Sequence, residues 1–88
     1  MSDLQFELTD VDPQYFFSRD NLNSLKSSFP KIKLVQRGQT IKALGDKNEL
    51  KKFDKKFRSL LNYYSEFNSM DPNVINDIVV KDIKFNGD

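Results

Sequence analysis

Between Leu50 and Tyr64 the large apolar residues follow a helical period: Leu50, Phe53, Phe57, Leu60, Leu61 and Tyr64 stand at i, i+3, i+7, i+10, i+11 and i+14. On an α-helix these positions merge into one wide stripe, whereas on a strand they scatter over both faces. A long helix with such a stripe is not stable alone in water, so a second layer must cover it. The stripe is therefore read as core rather than as a base-stacking platform, its period being that of a buried face. Lys51, Lys55, Arg58 and Asn62 line the opposite side, flanked by Lys47, Lys52 and Lys56. Asp46, with Glu49 three residues on, gives a capping-box-like start.

The preceding residues supply the second layer. Leu4, Phe6 and Leu8 alternate with polar neighbours, which predicts a strand over about residues 3–9 with one buried face. Asp12-Pro13 reads as an N-cap followed by a helix-first-position proline, opening a short turn through Tyr15, Phe16 and Phe17 that lids the core. Leu22, Leu25 and Phe29 then mark a helix over about residues 22–28, capped by Asp20 or Asn21 and stopped by Pro30. Alternation returns at Ile32 and Leu34. Gly38-Gln39 suits a two-residue hairpin of type II′ geometry, with Arg37 opposite Thr40, Val35 opposite Lys42 and Leu34 opposite Ala43. In that register Ile32, Leu34, Ile41 and Ala43 face the core. Lys33, Arg37 and Lys42 gather on the outer face with Val35 and Leu44. Asp71-Pro72 repeats the cap-and-proline start before a short helix containing Val74, Ile75, Ile78 and Val79.

The expected architecture is thus α+β: a two-layer sandwich with a small, mainly antiparallel three-stranded sheet and helices on one face. Residues 1–80 form the domain. Residues 81–88 read as a tail or severed linker, in which Ile83 and Phe85 are placed either to add a strand or to cover an edge. At 88 residues, 38% of them apolar and including eight Phe and three Tyr, the chain has material for one packed core and no second domain.

Composition narrows the chemistry. The sequence has no Cys and no His, which removes disulfides, thiol nucleophiles, imidazole acid–base catalysis and Cys/His zinc sites. The three glycines, Gly38, Gly45 and Gly87, cannot build a phosphate-cradling P-loop, nor the GxxG loop with which KH modules clamp nucleotide backbone. Carboxylate pairs Asp10/Asp12 and Asp46/Glu49 are explained by turns and caps. No catalytic residue, metal ligand or cofactor is expected in this chain. With no apolar run near the length of a membrane span and no basic signal-peptide start, a cytoplasmic protein with no membrane partner is expected.

The formal net charge of +1 hides strong segregation. Residues 1–25 carry −4, residues 26–58 carry +8 and residues 59–88 carry −3. A basic middle of this kind is either an electrostatic footprint for phosphate backbone or a solvated surface balanced by acidic neighbours in the fold.

Three stretches, Asp20-Asn21-Leu22-Asn23-Ser24-Leu25-Lys26, Phe29 to Gly38, and Thr40-Ile41-Lys42-Ala43-Leu44-Gly45-Asp46, carry a family resemblance. Their order, with an Arg-Gly hairpin followed by a Gly-Asp helix start, resembles the N-terminal, KH-like domain of PhoH-like proteins. The basic helix through Tyr63-Tyr64 and the Val74-Ile75 helix are similar to the Bacteroidetes-type members, so the resemblance spans about residues 5–79. It implies a bacterial, phosphate-starvation-inducible parent in which this module precedes a P-loop ATPase similar to RNA-helicase motors. ATP and Mg²⁺ would be bound in that parent domain, which is absent from this sequence, so no ATP-site residue carries over.

Two readings follow. In the first, the chain is a non-catalytic accessory domain that contacts single-stranded or structured RNA through phosphates, using Lys33, Arg37, Lys42, Lys51, Lys55 and Arg58. In the second, it is an assembly module that positions or oligomerises its own ATPase domain or neighbouring subunits through Val35, Leu44, Ile83 and Phe85.

Overall fold

The computed structural model describes residues 2–81. The expectations for Ile83 and Phe85 lie outside the described residues. The elements run β1 (Ser2–Glu7), α1 (Pro13–Phe16), α2 (Arg19–Ser28), β2 (Lys33–Arg37), β3 (Thr40–Gly45), α3 (Lys47–Phe67) and α4 (Pro72–Ile75), which continues into a π-helical turn over Asn76–Val80. The strands make one antiparallel sheet in the order β1-β3-β2, so the fold is α+β with helices packed on the sheet's inner face.

Each boundary has a local cause. Asp12 accepts from the Gln14 amide and Pro13 opens α1. Asp46 starts α3 by accepting from the Asn48 amide, and Glu49 pairs with Lys52 at 3.9 Å. α3 ends at Asn68, whose left-handed backbone (φ 56°) lets its N–H donate to the Tyr64 carbonyl at 2.7 Å. The hairpin takes the expected register, Arg37 opposite Thr40 and Leu34 opposite Ala43. φ is positive at Gly38 (+56°) and not at Gln39, as a type II′ turn requires. Gly45 serves a close approach, since a Cβ there would lie 3.2 Å from the Lys31 carbonyl.

Four expectations are corrected. β1 ends at Glu7, because Leu8 leaves the ladder and donates its N–H to the Gln39 carbonyl (2.7 Å) while its side chain turns into the core. α2 begins earlier than expected, and its cap is Ser18, which accepts from the Asn21 amide, not Asp20 or Asn21. Asn21 is instead buried, and its side-chain amide donates to the carbonyls of Tyr15, Phe16 and Met70, each at 3.2 Å. One polar side chain thereby ties α1, α2 and the loop before α4 together. Leu61 is only partly buried, at the margin of the stripe rather than inside it.

The core lies between α3 and the sheet. Phe53 and Phe57, both 0% exposed, stack at 5.2 Å between ring centroids. Phe57 meets Phe6 of β1 at 4.9 Å and Phe16 of α1 at 5.9 Å, while Phe53 meets Phe29 at 4.9 Å. These offset and edge contacts suit the aromatic quadrupole and add to the burial of large apolar area. Ile32, Leu34, Ile41 and Ala43 are buried on the inner face, as their alternation predicts.

Candidate nucleic-acid interface

Strand order decides the electrostatics of the sheet. On the outer face the register sets three rows: Lys33, Leu44 and Asp3; Val35, Lys42 and Gln5; Arg37, Thr40 and Glu7. The expected basic residues Lys33, Arg37 and Lys42 do share this face. Central β3, however, brings β1 alongside, and β1 contributes two carboxylates. Lys42 pairs with Asp3 at 3.5 Å, both side chains well exposed. Such a pair is worth about 0–1 kcal/mol, but it lowers the local positive potential that a phosphate would meet. Lys33 and Arg37 stand on the far edge strand, with no ion pair among the described residues. Between them a shallow depression of about 380 Å³ is floored by Val35 and Leu44 and rimmed by Arg37, Lys42, Thr40 and Gln5.

The second group, Lys51, Lys55 and Arg58, belongs to α3 in the other layer, so the six candidates do not form one surface. β1, carrying Asp3 and Glu7, stands between the two groups. Arg58 is committed locally: its Nε donates to Asp54 at 3.0 Å and its guanidinium lies 5.6 Å from the Phe6 ring centroid. That geometry extends the aromatic core outward as a cation–π contact. Lys51 and Lys55 are exposed without an ion pair among the described residues. Lys47, one turn earlier, joins them. With Lys51 and Arg58 it lines a groove of about 420 Å³ whose apolar lining is Leu4 and Leu50.

Lys47, Lys51 and Lys55 follow each other at four-residue intervals, about 6 Å of helix rise per step. Two of them lie in the first two turns of α3, where the positive end of the helix dipole disfavours cations. Lys47 was legible in the sequence as a flanking base, yet its equivalence to Lys51 depends on where β1 lies. A further cleft of about 650 Å³ separates the α1–α2 junction from the hairpin, and Asp12 and Arg19 are the charged residues lining it. Among the described residues, no group of three or more His, Cys, Asp or Glu is placed to hold a metal ion, and no helix is long and apolar enough to cross a membrane. Comparison with known proteins returned no match to a family model, to a curated protein or to a solved structure.

Proposed function

We propose that the chain is a non-catalytic accessory module that contacts RNA through the phosphate backbone, with the exposed lysines of α3 as its principal contact. The observation behind this reading is the row Lys47, Lys51 and Lys55: three cations without ion-pair partners among the described residues, one turn apart on one rigid element. Phosphate contacts of this kind position a nucleic acid without reading its bases, so binding is weak, sequence-tolerant and salt-dependent. Lys33 and Arg37 on the outer sheet face are auxiliary contacts in this reading, since Lys42 is shared with Asp3. The resemblance to the N-terminal domain of PhoH-like proteins supports RNA as the polyanion. It also supports a cytoplasmic setting beside a P-loop ATPase that binds ATP and Mg²⁺.

Charge reversal at Lys47, Lys51 and Lys55 is compared with reversal at Lys33, Arg37 and Lys42, by fluorescence anisotropy with a labelled single-stranded RNA. The α3 variant is expected to lose binding by more than about tenfold per pair of phosphate contacts removed, and the sheet variant to lose several-fold at most. Equal losses would place the contact on both layers. Binding that survives both reversals would refute the reading.

A further inference from the structure

The two open edges of the sheet have opposite charge patterns. Among the described residues β1 and β2 are both edge strands, with no strand paired along the outer side of either. On the outer face β1 carries Asp3, Gln5 and Glu7, and β2 carries Lys33, Val35 and Arg37. Glu7, Lys33 and Arg37 are exposed and have no ion pair among the described residues. We infer that β1 of one copy of this chain pairs with β2 of a second copy, extending the sheet head to tail.

The direction follows from topology. β1 and β2 are each antiparallel to β3 and so run the same way. A second copy with its helices on the same side of the sheet therefore brings its β2 beside β1 in parallel. In that register Asp3 meets Lys33 of the second copy, Gln5 meets Val35 and Glu7 meets Arg37. Both charged pairs are attractive. The like-edge alternatives are both repulsive: two β1 strands paired about Gln5 put Asp3 opposite Glu7 twice, and two β2 strands paired about Val35 put Lys33 opposite Arg37 twice. Like charges directly opposite destabilise a strand pair and opposite charges stabilise it. The charges thus block symmetric pairing at either edge and select the unlike pair.

Space beside β1 permits an approach. The groove beside β1 is lined by β1 and α3 with no residue of β2 or β3, so the helical layer leaves that edge approachable. The contact is heterologous, and repetition gives an open chain or a ring according to whether the rotation between copies closes. A five-residue edge is small beside a standard interface, so association belongs at the weak, transient end. The inference does not depend on RNA binding. It uses the sheet edges, whereas the RNA reading rests on α3.

Sedimentation equilibrium of the whole chain across about 10 μM to 1 mM, at low and high salt, tests the inference against two charge-swapped variants. One carries Asp3→Lys and Glu7→Lys, the other Lys33→Glu and Arg37→Glu. The wild type is expected to associate with rising concentration, more weakly at high salt. Each variant alone is expected to associate about tenfold more weakly or less. Mixing the two restores association, because the basic β1 of the first then meets the acidic β2 of the second. Circular dichroism confirms that both variants are folded; where either is not, the single swaps Glu7→Lys and Arg37→Glu replace them in the same mixing design. A wild type that stays monomeric throughout overturns the inference. So does association that neither swap weakens, or variants that fail to rescue each other.

Discussion

The two faces of the sheet are made by the same strands and do opposite work. On the inner face Leu34, Ile41 and Ala43 are buried against the paired rings of Phe53 and Phe57, and no charge intrudes. On the outer face the next residue along each strand is Lys33, Val35, Lys42 or Leu44, half to fully exposed, with acids and bases interleaved. Stability is concentrated on one side of a single backbone layer, which leaves the other side free to carry charge. If that division is right, substitutions on the two sides separate cleanly in what they damage.

The largest effect is expected inside. Phe53→Ala or Phe57→Ala removes a ring from the centre of the aromatic cluster and should cost ~3–5 kcal/mol in urea denaturation, a large share of a small domain's stability. Losses under about 1 kcal/mol for both would mean that the inner face does not carry the fold. Next is Asn21→Leu, which strands the carbonyls of Phe16 and Met70, the Tyr15 carbonyl keeping the Ser18 N–H, and is expected to cost ~1–3 kcal/mol. Asp20→Ala beside it, an exposed residue, should change stability by no more than about 0.5 kcal/mol. A reversed order would restore Asp20 as the residue that matters at the start of α2. On the outer face, Leu44→Ala should cost about 1 kcal/mol or less, since that side chain is half-exposed already. A comparably small change belongs to Lys47→Glu, Lys51→Glu and Lys55→Glu together. Acids suit the first turns of a helix better than bases, so unfolding free energy should stay within about 1 kcal/mol of the wild type while RNA affinity falls.

How much of this was legible in the sequence depended on whether the signal was local. The stripe from Leu50 to Tyr64, the alternation through Leu34 and Ala43, and the Gly38 turn are written in neighbouring residues, and the helices and hairpin form where those patterns place them. Asn21 was misread because an asparagine just before the Leu22, Leu25 and Phe29 pattern is a good cap by local rules. Its actual partner Met70 is 49 residues away, and no short-range pattern marks that contact. Lys33, Arg37 and Lys42 do gather on the outer face as their alternation predicts, but how far acids balance them was not written in any one segment. Lys33, Arg37 and Lys42 are adjacent through the hairpin, but the acids that temper them arrive on β1, whose position beside β3 is a property of sheet order rather than of any segment. Arg58 likewise read as one more base of a row: its pair with Asp54 is a local i,i+4 contact that the sequence already contained, whereas its place against the Phe6 ring required β1 to lie across α3.

The central claim is that Lys47, Lys51 and Lys55 of α3 contact phosphates, and the salt dependence of RNA binding by the wild-type chain tests it most directly. Three lysines, each neutralising one phosphate, predict a slope of log affinity against log salt concentration of about −2 for a single strand. A slope near that value, measured by fluorescence anisotropy between low and moderate salt, is the expected result. A slope near zero, or no binding even at low salt, would contradict it.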